Sequence, residues 1–187
     1  FYENPRALKK AAAKLRRAQR ALARSQRGSA RRKKKAAKVG RLHGKVANVR
    51  KDALHKATSR IASSFKVVAM EDLKVRSMTR SARGGAEAPG RNVRQKAGLN
   101  RAVLDASFGE FRRQLDYKLK ARGGRLVVVP EPYTSQSCSV CGCLTDPGSS
   151  ELYVCAACGM VMDRDQNAAR NTLVAASWPE TQNDRGA

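Results

Sequence analysis

Two kinds of chemistry are concentrated in one short stretch of the sequence, residues 138–171. Two Cys-x-x-Cys pairs come first, and an Asp-x-Asp motif follows at the start of an Ala-rich segment. The two cysteines of each pair lie one tight turn apart, so both thiolates can face a single ion. Four thiolates in this arrangement favour tetrahedral zinc in a closed, structural site. The predicted zinc ligands are Cys138, Cys141, Cys155 and Cys158.

Two disulfides or four unconnected buried thiols are the alternatives to a metal site. The paired spacing and the lack of a secretory leader in the sequence argue against both. Gly142 and Gly159 directly follow the two pairs, where the chain must turn away from the metal and a positive φ is often needed. Cys143, the fifth cysteine, falls outside the pattern and is interpreted as a bystander, with ligand exchange as the alternative.

Acidic residues at two places are candidates for metal-dependent catalysis. Asp165 lies in the first turn of a predicted helix, whereas Asp163 is better explained as a helix cap or a partner of Arg164. Glu71 ends a short apolar run rich in β-branched residues, which predicts a buried strand. Both acids also have plain structural explanations, as a strand-end carboxylate and a first-turn acid. Asn167 either orients the site or is an ordinary helix-start amide.

The apolar pattern predicts that two long helices precede this strand. Leu8, Leu15 and Leu22 recur every seven residues, and Gly28 with Ser29 then interrupts the pattern. A second helical stretch follows, and the two are predicted to pack as an antiparallel hairpin. The apolar seam of the second stretch consists of Val39, Leu42, Val46, Val49, Ala53, Ala57 and Ile61.

The remaining chain predicts an α/β core. A polar, basic loop without fixed structure is predicted over residues 74–96, followed by one helix over about 99–121. Residues 125–129 predict a second buried strand. The buried face of the helix is predicted to contain Leu99, Val103, Ala106, Phe108, Phe111, Leu115 and Leu119.

The net charge of +24, from 39 Lys and Arg against 15 Asp and Glu, calls for a polyanionic partner, of which nucleic acid is the most common. Residues 1–60 hold 21 of the basic residues and two acidic ones, more than a solvated face needs for solubility. Aromatic residues make up 5%, which favours phosphate contacts over base stacking. The predicted contact residues include Arg16, Arg20, Arg31, Arg32, Lys33 and Lys34.

Together these motifs resemble the C-terminal RuvC-type nuclease domain of the TnpB family. This family comprises the OrfB proteins of insertion sequences, to which the compact type V CRISPR effectors are similar. The strand VVAMEDL and the motifs TSQSCSVCG, CAACG and DRDQNAARN carry the resemblance, which extends to Ser177. It implies an α/β fold: a partial RNase H-like (RuvC) fold with a long helical hairpin and an inserted zinc ribbon.

The resemblance also implies a division of the chain. The parts are a basic helical hairpin (1–62), an α/β core (63–137) that contains the loop 74–96, a zinc ribbon (138–160), a C-terminal helix (161–177) and a polar tail (178–187).

RNA-guided, Mg²⁺-dependent cleavage of DNA is the activity that the resemblance implies, with DNA and a guide RNA as partners. The family uses three carboxylates, and by motif Glu71 and Asp165 match the second and third. The first belongs to a strand upstream of the hairpin and has no counterpart here, so this chain alone is expected to be inactive. No run of 18 apolar residues occurs, so no membrane partner is expected. The resemblance also implies no small-molecule substrate. The expected location is the prokaryotic cytoplasm, near the nucleoid.

Two alternative functions remain open. A truncated or decayed copy would keep the zinc-ribbon and hairpin contacts to nucleic acid without catalysis. A basic zinc-ribbon protein of the ribosome would also explain the charge and the cysteines. It leaves VVAMEDL and DRDQNAARN without explanation.

Overall fold

The computed structural model of the protein describes residues 4–85, 87–130, 134–146, 148 and 150–177. These residues form a mixed α/β structure and group into two units. One unit contains residues 4–64 and 74–122, and the other contains residues 65–73 and 123–177. The predicted polar tail, 178–187, lies outside the described residues. No helix in the described part of the chain is both long and apolar enough to cross a membrane.

The first unit begins with the predicted helical hairpin, formed by α1 (Ala7–Ala23) and α2 (Ala30–Ser64). Leu15 of α1 packs with Val46 of α2, whereas Leu22 lies beside the start of α2 at the turn. The two helices therefore run antiparallel, which confirms the prediction. The seam of α2 is only partly buried, because Val49 keeps 41% of its surface exposed.

Residues 74–96 contain more structure than the sequence predicted. Helix α3 (Val75–Met78) forms one turn, an antiparallel bridge joins Gly84 to Pro89, and α4 (Val93–Ala106) begins inside the segment. Asn100 of α4 donates its side-chain amide to the carbonyl of Thr79 at 2.7 Å. The residues of this segment that precede α4 are thus held by a contact with α4. A local pattern of Gly, Ser and Arg does not reveal such a contact, so the structure of the segment was not predicted.

The single helix predicted over 99–121 is two helices, α4 and α5 (Phe108–Lys120). The break is at Ser107, whose φ of 56° lies in the left-handed region that ends a helix. The apolar pattern continues through this break, so the sequence did not indicate that one helix ends at Ser107 and another begins. Leu115 and Leu119 of α5 are buried as predicted, but Leu99 is 55% exposed, which corrects the predicted buried face.

The second unit is built on a parallel pair of strands, β1 (Val67–Glu71) and β2 (Arg125–Val129). Parallel strands need a long crossover, and α3 to α5 lie within it in the sequence. The strands were predicted to be buried, yet Val67 is 52% exposed while Val129 is 5% exposed. A two-stranded sheet covers little of its own surface, which accounts for the difference.

A second pair of strands, β3 (Leu152–Val154) and β4 (Val161–Asp163), forms an antiparallel hairpin whose loop contains the second Cys pair. Strands of three residues are too short to give a clear sequence pattern, so this hairpin was not predicted. Helix α6 (Arg164–Ser177) follows β4 directly and packs against β1 and β2. Glu71, at the carboxyl end of β1, thereby lies in the same unit as the whole cysteine region.

Candidate metal centre and neighbouring acidic residues

Four cysteine thiols converge on one point in the second unit. The Sγ atoms of Cys138, Cys141, Cys155 and Cys158 all lie within 4.8 Å of one another. The Sγ atoms of Cys138 and Cys158 are 3.7 Å apart, and those of Cys141 and Cys155 are 3.6 Å apart. All four are free thiols, so the disulfide alternative is excluded for this structure. The predicted ligand set is therefore brought together as a site that can hold a metal ion.

The first turn of the site is closed by two backbone hydrogen bonds. The N–H of Cys138 donates to the carbonyl of Cys143 at 2.9 Å, and the N–H of Gly142 donates back to the carbonyl of Cys138 at 2.9 Å. Gly142 has the positive φ that the sequence predicted, 76°. The side chain of Cys143 is exposed and stands outside the four-thiol group, but its carbonyl closes the turn.

The second turn repeats the first, atom for atom. Cys155 donates its N–H to the carbonyl of Met160 at 2.9 Å, and Gly159, with a φ of 72°, donates its N–H to the carbonyl of Cys155 at 3.0 Å. Met160 thus takes the place that Cys143 has in the first turn. Two equivalent turns facing each other present their thiols symmetrically, as tetrahedral coordination requires.

The backbone of each turn also stabilises the thiolate form of its first cysteine. The pKa of the Cys155 thiol is lowered to about 6, chiefly because the backbone N–H of Cys158 donates to its sulfur. The corresponding N–H of Cys141 lowers the pKa of Cys138. For Cys141 the N–H of Cys143 acts in the same direction, but burial and the neighbouring sulfurs outweigh it and raise the pKa to about 12, and the pKa of Cys158 is raised as well. The fit to zinc therefore rests on the four sulfur donors that meet at one point.

Behind the thiols, a small apolar core supports the site. Tyr153 of β3 has no exposed surface and packs with Cys138, Cys155 and Met160. Its hydroxyl donates to the carbonyl of Gln136 at 3.0 Å, which satisfies the one polar group that burial would otherwise leave unpaired. We refer to residues 138–160 as the cysteine knuckle; the second of its two turns joins β3 to β4.

Two asparagines of α6 hold the chain that enters the cysteine knuckle. Asn167 is completely buried, and its side chain accepts from the N–H of Ser139 at 2.9 Å and donates to the carbonyl of Ser137 at 2.7 Å. Asn171, one turn later, donates to the carbonyls of Thr134 at 2.8 Å and Ser137 at 2.7 Å. From the sequence the role of Asn167 was left open and that of Asn171 was not predicted, although the i, i+4 spacing of two amides was a usable signal.

Glu71 is half-buried at the carboxyl end of β1, and both hydroxyls that reach it come from the same unit. Thr134 donates to Glu71 Oε1 at 2.7 Å, and the Oγ1 of Thr172 in α6 lies 3.4 Å from the same oxygen. Thr134 begins the motif TSQSCSVCG, but neither threonine was predicted to contact Glu71. The nearer hydroxyl, that of Thr134, fixes the direction of the carboxylate.

Asp165 is exposed in the first turn of α6, as predicted, and Asp163 accepts from the N–H of Gln166 at 3.0 Å. The cap predicted for Asp163 is thereby confirmed. Residues seven apart share one face of a helix, so Asp165 lies on the same face as Thr172, about 10 Å away along the axis. Glu71 and Asp165 thus belong to elements that pack together, β1 and α6.

Four arginines lie along one groove at the C-terminal half of α1. Arg16, Arg17 and Arg20 of the helix and Arg24, the residue that follows it, line this groove. Among the predicted contact residues, five are exposed. These are Arg16, Arg20, Arg31, Lys33 and Lys34.

Arg32, the sixth predicted contact residue, is half-buried and has partners within the hairpin turn. Its guanidinium donates to the carbonyl of Leu22 at 3.0 Å and to that of Ser25 at 2.9 Å. Lys35 similarly donates to the carbonyl of Ala21 at 3.1 Å. These bonds satisfy carbonyls at the end of α1 that lack partners inside the helix.

Two family models match the chain. The model described as "Probable transposase", OrfB_IS605, matches residues 1–82, and the model described as "Cas12f1-like, TNB domain" matches residues 108–172. The first therefore covers the helical hairpin and β1. The second covers α5, the strands β2 to β4, the cysteine knuckle and most of α6.

Several curated proteins have similar sequences. The "Putative RNA-guided DNA endonuclease InsQ" of Escherichia coli is 44% identical over 74% of this chain and 35% of its own length. The "TnpB-like protein L79" of Acanthamoeba polyphaga mimivirus is 33% identical over 71% of this chain and 24% of its own length. The "Putative RNA-guided DNA endonuclease Rv2885c" of Mycobacterium tuberculosis is 36% identical over 90% of this chain and 35% of its own length. The chain thus spans about a quarter to a third of these relatives.

Solved structures support the fold. A Cas12f1 chain, from a complex with an sgRNA and target DNA, aligns over 89% of this chain and 41% of its own length, with a TM-score of 0.54 and 23% identity. A chain of a CRISPR-Cas12f ternary complex aligns over 88% of this chain with a TM-score of 0.55. From the two matching models, these relatives and the converging cysteines, the chain belongs to the TnpB/OrfB family and carries its Cas12f-like TNB domain.

Proposed function

We propose that this chain is the C-terminal part of a transposon-associated, RNA-guided DNA endonuclease that hydrolyses phosphodiester bonds with Mg²⁺. The observation that carries the proposal is the placement of two family-matched acids, Glu71 and Asp165, on a strand and a helix that pack together. The related E. coli and M. tuberculosis proteins are named as RNA-guided DNA endonucleases, which supports the same activity here. The proposed fold is a partial RNase H-like one, with β1, β2 and α6 as its members.

Carboxylates at this position fit Mg²⁺, a hard cation that prefers oxygen ligands. In nucleases a pair of such ions, ~4 Å apart, neutralises charge on the entering and leaving oxygens of the phosphate. Glu71 and Asp165 would hold the metal through carboxylate oxygens.

A third carboxylate completes the set in the family, and this sequence has no match for it. With two acids alone, a pair of metal ions would lack a carboxylate that bridges them. We therefore expect cleavage only from a protein that supplies the third carboxylate. Asp72 follows Glu71 directly, but its N–H donates to the carbonyl of Val129 at 2.9 Å as a continuation of the sheet. Adjacent residues of a strand point to opposite faces, so Asp72 is a poor substitute for the missing acid.

Zinc is the metal that we assign to the cysteine knuckle, in a structural role. All four thiols are used as ligands, which leaves no open position for catalysis. The sequence from 126 to 163 contains no Lys or Arg, although the whole chain carries 39. A phosphate-binding role therefore belongs to the basic hairpin, α1 and α2, rather than to the knuckle.

DNA and a guide RNA are the proposed partners of the basic hairpin. Four arginines along the groove at α1 repel one another, and a phosphate backbone relieves that repulsion. The structural neighbour Cas12f1 was solved with an sgRNA and target DNA, which is consistent with such partners. Many phosphate contacts would make the affinity fall steeply between low and physiological salt.

Cleavage of a guide-matched plasmid in Mg²⁺ tests the proposal. The assay compares the 187-residue chain with the longest reading frame that contains it. We expect no cleavage by the chain alone, and cleavage by the longer protein that falls at least ~100-fold in Glu71→Gln and in Asp165→Asn. Glu87→Gln, which changes an exposed acid in the loop between α3 and α4, serves as the matched control.

Two results would refute the assignment. Robust cleavage that survives Glu71→Gln would remove this acid from the catalytic site. Salt-dependent binding of nucleic acid without cleavage, in the longer protein as well, would favour the alternative that the protein is an inactive nucleic-acid-binding remnant.

A further inference from the structure

Thr134 connects Glu71 to α6. Its hydroxyl donates to Glu71 Oε1 at 2.7 Å, while its backbone carbonyl accepts from the side-chain amide of Asn171 at 2.8 Å. One residue therefore fixes the direction of a candidate catalytic carboxylate and is itself fixed by a helix. Thr134 is the first residue of the motif TSQSCSVCG, and the motif by itself assigns it no role.

Thr172, the other hydroxyl near Glu71, is a weaker partner. A hydroxyl carries a single proton, and the Oγ1 of Thr172 lies 2.9 Å from the carbonyl of Ala168 but 3.4 Å from Glu71 Oε1. The proton goes to the nearer acceptor, the carbonyl one helical turn back. Thr134 is consequently the main donor that holds the Glu71 carboxylate in place.

The contacts continue from Thr134 into the cysteine knuckle. The amides of Asn167 and Asn171 both donate to the carbonyl of Ser137, each at 2.7 Å, and the Oδ1 of Asn167 accepts from the N–H of Ser139 at 2.9 Å. Ser137 and Ser139 flank Cys138, one of the four thiols. Helix α6 thus makes hydrogen bonds to the backbone on both sides of Cys138 and to the backbone of Thr134.

We propose that Thr134 is a positioning residue for Glu71, and that the closed cysteine knuckle holds Thr134 in place through Asn167 and Asn171. The importance of Glu71 for metal binding rests on the proposed function, whereas the coupling between knuckle and carboxylate does not. When the knuckle opens, the segment 134–139 loses its anchor at Cys138, and the Thr134 hydroxyl loses its fixed distance to Glu71.

Loss of this hydrogen bond frees a flexible side chain. Glu71 is only half-buried and has three rotatable bonds, so without a donor its carboxylate samples several directions. Removing such an outer partner of a metal-ligating carboxylate typically costs about 10- to 100-fold in metal affinity or activity. The cysteine knuckle would in this way control the metal affinity of the acidic site, through the direction of the Glu71 carboxylate, without contacting the substrate.

The coupling can be measured on this chain without any activity assay. The protein is labelled with ¹³C at glutamate carboxyl carbons, loaded with zinc, and the signal of Glu71 is assigned with Glu71→Gln. In Thr134→Val, which keeps the shape but loses the donor, we expect the signal to move toward those of the exposed glutamates. Thr134→Ser, which restores the donor, should return it.

Opening the knuckle should have the same effect while Thr134 is intact. We expect zinc removal by a chelator to move the Glu71 signal in the same direction, with reversal on adding zinc back. Asn171→Leu, which keeps the side-chain volume but loses both amide donors, should also move it. Cys143→Ser changes an exposed cysteine outside the four-thiol group and should leave the signal in place.

Cleavage by the longer reading frame then tests the consequence. Thr134→Val should raise the Mg²⁺ concentration for half-maximal cleavage about 10-fold, with DNA affinity unchanged, and Thr134→Ser should restore it. If the Glu71 signal does not change in Thr134→Val, the positioning role is wrong, and if it does not change on zinc removal, the coupling is wrong. If the signal changes in both experiments but no protein cleaves DNA, the coupling stands and the proposed nuclease function fails.

Discussion

Asp105 of α4 and Arg50 of α2 form an ion pair within the first unit, with Arg50 Nε donating to Asp105 Oδ1 at 3.2 Å. The same carboxylate accepts from the backbone N–H of Leu8, at the start of α1, at 3.2 Å. Helix α1 has no side-chain cap from the residue at its cap position, because the side chain of Arg6 makes no capping hydrogen bond. One buried acid therefore caps α1 and ties α2 to α4.

We expect Asp105→Ala to lower the free energy of unfolding of the first unit by about 2–4 kcal/mol. Removing one member of a buried pair leaves the other charge without compensation, but Arg50 keeps 26% of its side chain exposed, which moderates the loss. Urea denaturation measures the change, and a double-mutant cycle with Arg50→Ala isolates the pair. Asp52→Ala is the control, since its pair with Lys56 is exposed and worth at most about 1 kcal/mol. Equal effects at both sites would contradict the structural role of Asp105.

Arg31 and Arg32 are adjacent in sequence but should behave differently. Arg31 is exposed, so Arg31→Ala should reduce the salt dependence of nucleic-acid binding by about one phosphate contact and leave stability unchanged. Arg32 donates to two carbonyls in the hairpin turn, so Arg32→Ala should cost about 1–2 kcal/mol of stability. Filter binding across a salt series and thermal unfolding separate the two effects. The reverse pattern would show that Arg32 is the phosphate contact.

The parts of the site that could be predicted from sequence are those in which chemistry fixes the spacing. Thiolates that share one ion must be paired, so Cys138 and Cys155 were recognisable from their partners alone. The break at Ser107 was not, because its apolar neighbours continue the helical pattern on both sides. Nor was the role of Thr134, since its hydroxyl meets Glu71 across 63 positions of sequence and only the fold brings them together.

Metal binding should depend on the four converging thiols and not on the fifth. We expect Cys155→Ser to abolish stoichiometric Zn²⁺ retention, and Cys143→Ser to retain it, because the Cys143 side chain lies outside the group. Replacement of zinc by Co²⁺ gives an absorption spectrum that reports tetrahedral thiolate coordination. A tetrahedral four-thiolate spectrum in the wild type and Cys143→Ser, lost in Cys155→Ser, is the expected result. Retention by Cys155→Ser with loss in Cys143→Ser would mean that Cys143 is a ligand.

Glu110 should titrate well below its ordinary range. Hydrogen bonds from Arg113 and then Gln114 lower its pKa from the ordinary 4.5 to about 2. A depressed folded-state pKa contributes stability that is present above about pH 4.5 and is lost as pH falls toward 2. Because Glu110 is about a third exposed, we expect at most about 1 kcal/mol from it.

A carboxyl-detected NMR titration of Glu110 checks this prediction. In Arg113→Ala, which removes the main cause, the pKa of Glu110 should move back toward 4.5. Lys120→Ala, which breaks the neighbouring exposed pair with Asp116, should leave it unchanged. A Glu110 that already titrates near 4.5 in the unmodified protein would contradict the hydrogen-bonded geometry.

Alanine substitution should have opposite effects on stability at two glycines that have free space at the Cβ position. Gly44 lies inside α2 and Gly142 in the first cysteine turn, and a methyl group at either would meet no atom within 4 Å. Gly44→Ala should therefore stabilise the protein by about 0.5–1 kcal/mol through helix propensity alone. Gly142 has a φ of 76°, so Gly142→Ala should cost about 1–2 kcal/mol and weaken zinc binding. Thermal unfolding with and without a chelator distinguishes the two: since the cost at Gly142 arises in the closed knuckle, it should disappear once zinc is removed, whereas the gain at Gly44 should remain.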